Sequence, residues 1–145
     1  MRKKRVWLRS HVERSLMEIW QTATLVRDAD GDYPFRGNTS MAWVGIDTDT
    51  KPWMVNVFAH AAQNVPATVK VLREINELTG KARAVKVFCR QGYVIVQHSL
   101  LAEAVTVRSL RHALDGVNAV ADDIGPMFAA MYDADTLFPS QVGRP

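Results

Sequence analysis

The feature that most constrains this fold is a long apolar stripe near the C-terminal end of the sequence. Eight apolar residues recur there in alternating steps of three and four positions: Val107, Leu110, Leu114, Val117, Ala121, Ile124, Phe128 and Met131. Such steps place side chains on one side of an α-helix, and Thr106 stands where it can cap the helix start. A flanking apolar line through Ala113 and Val120 makes the stripe wider than a coiled-coil seam, so we predict a long helix lying across a sheet. Gly125 and Pro126 predict a kink or a break in it.

The first part of the chain changes from a helical to a strand period. Ser10 and Glu13 form a capping-box pattern, which predicts a first helix over residues 10–22. Apolar residues then alternate with a period of two, which predicts three antiparallel strands connected as a meander. They lie at residues 25–26, 41–46 and 53–59.

The second part repeats the change from helix to strands. Pro66 can open a second helix and Gly80 can close it, with apolar residues on one side between them. Two further strands follow at residues 82–89 and 93–99, ahead of the long helix. The predicted class is therefore α+β: a five-stranded antiparallel sheet with helices in the order α-β-β-β-α-β-β-α, in a single domain over residues 1–145.

The positive charge of the chain is concentrated at its start. The formal net charge is +3, but residues 1–14 hold six basic residues and one acid, so the rest of the chain sums to −2. Nucleic-acid-binding proteins usually carry positive charge on the folded body, so we expect no nucleic-acid partner and interpret residues 1–9 as a solvated basic tail. A regulatory protein that contacts nucleic acid through this tail is the alternative. No apolar segment approaches the roughly 20 residues of a membrane span, so no membrane partner is expected.

The sequence contains no recognisable catalytic or metal-binding motif. Its four histidines do not stand at metal-ligand spacings, and its single cysteine, Cys89, has no partner for a disulfide. Asp28, Asp30 and Asp32 alternate like the start of an EF-hand loop, but Tyr33 stands where that loop needs glycine, which favours a surface turn. We therefore expect a non-enzymatic protein without metal or cofactor. The unpaired cysteine favours a cytoplasmic location.

Several short segments follow one another in a recognisable order. They are the stretch from Gly31 to Gly37 with the strand at Trp43, REINEL at 73–78, the strand pair around Gly92, LLAE at 100–103 and LRHALDGVNAVA at 110–121. Together they resemble the actinobacterial branch of the YbjN family over about residues 16–132. That family is grouped by fold with the type III secretion chaperones. The resemblance implies their fold and a homodimer that binds extended, partly unfolded segments of a client protein or peptide.

The resemblance also implies which helix forms the dimer. In secretion chaperones the middle helix commonly provides the twofold contact, which corresponds here to residues 69–79. More apolar residues lie on this helix than one narrow stripe requires, so a helix covered on two sides is expected. The expected dimer interface comprises Val71, Leu72, Ile75 and Leu78.

Aromatic residues on the predicted strands point to a peptide-binding surface. Three helices cannot cover both faces of the sheet in so small a domain, so some strand aromatics should remain exposed to bind apolar side chains of a client. The candidate peptide-binding residues are Trp43, Trp53, Val55, Phe58 and Tyr93. We expect Trp43 and Trp53 to be neighbours across a hairpin. An exposed sheet edge would add main-chain hydrogen bonds to the client.

The C-terminal segment, residues 134–145, is polar and rich in turn-forming residues, which predicts a flexible tail. Leu137 and Phe138 leave a second interpretation open, in which the segment docks in the peptide-binding groove and gates it. Deletion of the segment would then strengthen the binding of an apolar peptide.

Overall fold

A computed structural model describes residues 2–140 as three α-helices and five strands. The helices are α1 (Arg2–Trp20), α2 (Val69–Lys81) and α3 (Val107–Tyr132), and the strands are β1 (Tyr33–Arg36), β2 (Met41–Asp47), β3 (Met54–Ala62), β4 (Lys86–Arg90) and β5 (Tyr93–Leu101). This is the predicted order of elements. The predicted α+β class with a five-stranded antiparallel sheet is confirmed.

The five strands are ordered β1-β2-β3-β5-β4, so that β1 and β4 are the edges of the sheet. The central strand, β3, pairs with β2 and β5 and places Ala59 opposite both Ala42 and Val96. All three side chains are fully buried. Because successive side chains of a strand alternate between faces, they mark one face of the sheet as the core. α3 packs on β3 and β5, and α1 packs beside α3.

α3 is one continuous helix, without the break that Gly125 and Pro126 predict. Thr106 caps its start: its Oγ1 accepts the Ser109 amide at 3.0 Å, and Ser109 Oγ accepts the Thr106 amide at 2.8 Å. Gly125 lies so close to the Ala61 carbonyl of β3 that a Cβ atom would overlap it. The glycine therefore provides a close approach to the sheet, and packing of the buried stripe holds the helix together through Pro126.

α1 begins at Arg2, well before the predicted start. Leu8, which is 2% exposed, continues the buried side of the helix toward its N-terminus. The predicted capping box is wrong, because Ser10 is exposed within the helix and the Glu13 carboxylate accepts a hydrogen bond from β1. Residues 2–9 belong to α1 and do not form the separate tail expected there, although residues 2–7 are exposed to solvent.

The first strand lies later in the chain than predicted. Residues 25–26 form no strand: Val26 is 74% exposed, and Leu25 packs against the core without pairing with the sheet. β1 instead starts at Tyr33, whose side chain is fully buried and which lies opposite Val44 of β2. Burial of the large tyrosine ring therefore places the strand after the aspartate-rich turn.

The segment after α3 is attached to the sheet. Asp135 forms an antiparallel bridge with Gln63 at the end of β3. Phe138 donates its amide hydrogen to a carbonyl of the β1–β2 turn at 3.2 Å, and the Arg36 guanidinium lies 3.7 Å from the centroid of its ring. The flexible tail predicted from residue 134 is therefore corrected for the segment up to Phe138. Residues 141–145 lie outside the described part of the chain.

Candidate peptide-binding surface

The face of the sheet opposite the helices carries a second set of apolar side chains, and we refer to it as the open face. Its residues alternate along the strands with buried core residues such as Ala42 and Val57. Its central members are Met41, Trp43, Phe58, His60, Phe88, Tyr93 and Ile95. Among the described residues, the core cluster that packs against the helices contains none of these seven. The open face is therefore an apolar surface separate from the core.

Four rings on the open face form one aromatic stack across three strands. Trp43 and Phe58 lie directly opposite each other on β2 and β3, with ring centroids 5.5 Å apart. His60 connects them to β5, because its ring lies 4.8 Å from Trp43 and 4.2 Å from Tyr93. Each ring restrains the next, so little side-chain entropy would be lost when a ligand covers them. Ile95, opposite His60 on β5, is 7% exposed and fills the space beside the stack.

The centre of the open face is uncharged, and one of its edges is cationic. Burial lowers the pKa of His60 below its ordinary value, so the imidazole is neutral at neutral pH. On the edge strand β4, Lys86 Nζ and the Arg90 guanidinium lie 5.5 and 5.1 Å from the centroid of the Phe88 ring. The surface thus offers an aromatic platform for apolar side chains and positive charge along one side.

The structure brings together three of the five residues that the sequence nominated for peptide binding. Trp43, Phe58 and Tyr93 are neighbours in the aromatic stack, and each is partly exposed. Val55 lies on the opposite face, fully buried in the core. Contrary to the expectation from the sequence, Val55 is therefore a core residue and not part of the peptide-binding surface. It alternates with Asn56 along β3 and points toward the helices.

Trp53 lies away from the aromatic stack, so the expected pairing of Trp43 with Trp53 is wrong. The hairpin register places Asp47 opposite Met54 and Trp43 opposite Phe58, which leaves Trp53 in the loop before β3. There the Trp53 carbonyl accepts the Ala102 amide at 2.9 Å. Trp53 therefore contributes to a different surface, at the end of the sheet.

Sequence reasoning missed His60 and Ile95. Both could have been found from the strand period, since His60 follows Phe58 by two positions and Ile95 follows Tyr93 by two positions. His60 is not placed as a metal ligand here: it meets the Trp43 ring edge-on and stacks on the Tyr93 ring.

The outer side of α2 is a further exposed apolar surface. Val69 and Leu72 are 65% and 49% exposed, and Leu78 is partly buried against the core. Val71 and Ile75 are 0% and 6% exposed and belong to the same core cluster as the sheet. These two side chains pack α2 against its own sheet. Contrary to the expectation from the sequence, they are therefore not part of a dimer interface.

The aspartate-rich turn before β1 forms as predicted. Among the described residues, Asp28, Asp30 and Asp32 are the only group of three potential metal ligands, with oxygens within 4.8 Å of one another. Asp28 Oδ1 accepts the amides of Asp30 and Asp32 at 3.0 and 2.9 Å. Burial and repulsion by the other two carboxylates raise the pKa of Asp32. These hydrogen bonds to the backbone stabilise the turn, which explains why aspartate occurs in it.

The fold and the sequence together define the class of the protein, which is that of the peptide-binding chaperones. The chain belongs to the T3SS (YopN, CesT) and YbjN peptide-binding chaperone family, TY-Chap1, whose profile matches residues 6–140. The family relationship implied by the short sequence motifs is confirmed.

Two solved structures share the fold. A chain of the ExsC–ExsE complex superposes with a TM-score of 0.64 at 14% identity, covering 82% of this chain and 94% of that one. A chain of the HopA1–SchA chaperone–effector complex superposes with a TM-score of 0.62 at 11% identity, covering 83% and 94%. No curated protein sequence matches this chain. Within residues 2–140, no helix has the length and apolar character needed to cross a membrane.

Proposed function

We propose that the protein is a non-enzymatic, cytoplasmic chaperone that holds an extended apolar segment of a client protein on the open face. The observation that carries this proposal is the aromatic stack, in which Trp43, Phe58 and Tyr93 lie partly exposed on a face separate from the helix-packed core. Membership of a peptide-binding chaperone family and the likeness to a chain of a chaperone–effector complex support it.

The binding mode follows from the geometry of the open face. In an extended segment, alternate side chains project to the same side about 6.5–7 Å apart, which is a suitable spacing for leucine, valine or phenylalanine on successive rings. Covering large, restrained aromatic rings yields contact area at low entropic cost. β4 is an edge strand of the sheet, and its Val87 amide already donates to Thr79 Oγ1 of α2 at 2.8 Å. The other outward backbone groups of this edge can form hydrogen bonds with the client main chain. Those hydrogen bonds place little demand on the client sequence.

The test is binding of uncharged extended peptides, measured by fluorescence anisotropy of a labelled peptide. One peptide alternates leucine with serine and threonine, and its partner carries serine in place of each leucine. The leucine peptide should bind the parent chain, and Trp43→Ala and Phe58→Ser should weaken it by at least about tenfold, as expected for central aromatic contacts.

Val26→Ala is the control, because Val26 is a 74% exposed apolar residue in the loop before β1 and lies outside the sheet. Its affinity for the uncharged peptide should equal that of the parent chain. Equal binding of the leucine and serine peptides, or equal loss in all three variants, would overturn the proposal.

We further propose that the protein is a homodimer formed through the outer side of α2. Exposure of Val69 and Leu72 on that helix supports this interface. Leu72→Glu should shift the mass in solution from dimer to monomer at micromolar concentration, because it would bury a charge in the contact. The control is Met131→Glu, which replaces a 56% exposed apolar residue on α3. A monomeric parent chain would contradict the proposal.

A further inference from the structure

A second apolar groove lies at the end of the sheet, between the start of α1 and the β2–β3 loop. Its apolar walls are Trp7, Pro52, Trp53 and Leu101, and it encloses about 500 Å³. We refer to it as the end groove. Trp7 and Leu101 are 57% and 43% exposed, which is a large exposure for residues of this size. The groove therefore presents two indole rings and a leucine to an incoming side chain.

The walls of the end groove are held in place by contacts within the chain. The Trp7 ring stacks on His11 with centroids 5.0 Å apart and planes 10° apart. His11 Nε2 lies 2.7 Å from the carbonyl oxygen of Val105, at hydrogen-bonding distance. On the other wall, the Arg5 guanidinium lies 5.8 Å from the centroid of the Trp53 ring. An exposed tryptophan that is stacked on a hydrogen-bonded histidine is preorganised for a contact.

The rim of the end groove carries a net positive charge. Among the described residues, its charged lining consists of Lys4, Lys51 and Glu103. Residues 2–5 are four consecutive basic residues in the first turn of α1, which contains no acidic residue. Cations at a helix N-terminus oppose the helix dipole and weaken the helix slightly. An acidic partner would offset this repulsion.

The end groove is continuous with the open face. Leu101 is opposite Met54 in the β3–β5 ladder, and Gln97 is opposite Phe58 of the aromatic stack in the same ladder. These two pairs are four residues apart along the strands, or about 13 Å. One extended client segment can therefore contact both the aromatic stack and the end groove.

We propose that the end groove binds an acidic part of the client that carries one aromatic or leucine side chain. This inference rests on the proposed function and adds a second contact with the same class of partner. The apolar side chain inserts between Trp7 and Trp53, and flanking carboxylates face Lys4 and Lys51. A single-stranded nucleic acid is the competing ligand, because its bases also stack on indole rings. Membership of a peptide-binding chaperone family favours a protein segment.

The probe is a labelled acidic peptide with a single central phenylalanine between aspartate and glutamate residues. Two matched peptides replace either the phenylalanine with serine or the acidic residues with lysine. Trp7→Ala and the double variant Lys4→Glu, Lys51→Glu should each weaken binding of the acidic peptide by at least about tenfold. Binding should also weaken as salt rises from about 50 to about 500 mM, since the charges are exposed. Leu101→Asp gives an independent variant outside α1 and should weaken binding in the same direction.

Trp43→Ala separates this inference from the proposed function. It should leave the affinity for the acidic peptide unchanged while it weakens binding of the uncharged leucine peptide by at least about tenfold. If the leucine peptide binds as proposed but the acidic peptide does not respond to Trp7→Ala and Leu101→Asp, the end-groove inference is wrong and the open-face function stands. A single-stranded DNA whose affinity depends on Trp7 as strongly as that of the acidic peptide would also overturn it.

Discussion

The hydroxyl of Tyr33 donates a hydrogen bond to Glu13 Oε2 at 2.8 Å and thereby joins β1 to the middle of α1. The same hydroxyl oxygen accepts a hydrogen bond from Arg9 Nη1 at 2.8 Å, and Arg9 also donates to the Gly31 carbonyl at 3.3 Å. Burial, together with the hydrogen bond to Glu13, raises the pKa of Tyr33, so the phenol is protonated at neutral pH. A buried hydroxyl that donates to an acid and accepts from a base is fully satisfied.

Tyr33→Phe should therefore destabilise the fold although it retains the buried ring. Removing the hydroxyl leaves a carboxylate and a guanidinium each short of one partner, which costs about 1–3 kcal/mol in the free energy of unfolding. Urea denaturation measures the loss. The control is Tyr132→Phe, because the Tyr132 ring packs on Phe128 and no hydrogen bond of its hydroxyl is found within residues 2–140. An equal loss in both variants would contradict the role given to the Tyr33 hydroxyl.

The Asp122 carboxylate of α3 holds the turn between β1 and β2. It accepts the amides of Asn38, Thr39 and Ser40 at 2.9, 3.0 and 3.1 Å, and the Ser40 hydroxyl at 2.8 Å. Burial alone would raise the pKa of Asp122, but these hydrogen bonds outweigh burial and hold it below its ordinary value. The ionised form is therefore the one that stabilises the fold.

Asp122→Asn should lower the free energy of unfolding by about 1–3 kcal/mol at neutral pH, because an amide accepts these hydrogen bonds less well and adds a donor. The stabilisation by Asp122 is complete above the pKa of an unfolded aspartate, about 3.9, and is lost as the pH falls through the lower folded pKa. The difference between parent and variant should therefore shrink in acid. Asp123→Asn, at an exposed neighbouring position, should change stability little at any pH. A difference that does not depend on pH would contradict this account.

The order of elements could be predicted because helical and strand periods are local properties of the sequence. The alternation that buries Ala42 also exposes Trp43, so the aromatic residues on the open face were accessible to the same reasoning. The register of the β2–β3 hairpin could not be predicted, because it depends on the number of residues in the loop. Trp53 was expected in a strand but belongs to the loop before Met54.

The functions of individual polar residues could not be predicted from local pattern. Glu13 stands three residues after Ser10, as in a capping box, yet its partner is a tyrosine twenty positions further along the chain. Asp122 lies on a helix face, and nothing near it in the sequence indicates that its partners belong to a turn more than eighty positions earlier. Such contacts arise only when distant elements pack together.

The two glycines of α3 should respond in opposite ways to alanine. Gly125→Ala places a methyl group on the Ala61 carbonyl and should cost about 1–3 kcal/mol or more, because helix and sheet must separate. Gly116→Ala has no heavy atom within 4 Å of the new methyl group and should stabilise the chain by about 0.5–1 kcal/mol through helix propensity. Thermal or urea unfolding of both variants measures the difference. Destabilisation of equal size at both sites would contradict the close approach at Gly125.

His60 should make client binding sensitive to pH. Burial already lowers its pKa, and a peptide that covers the aromatic stack removes more water from the imidazole, so the bound state should have a lower pKa than the free one. The bound state then carries fewer protons, and affinity for the uncharged leucine peptide should fall as the pH drops through the pKa of His60 in the free protein, which lies below the ordinary histidine value of about 6.5. His60→Phe keeps a ring between Trp43 and Tyr93 but cannot titrate, so its affinity should stay flat. Anisotropy titrations from about pH 8 to about pH 5 compare the two chains, and the same pH dependence in both would assign the effect to another group.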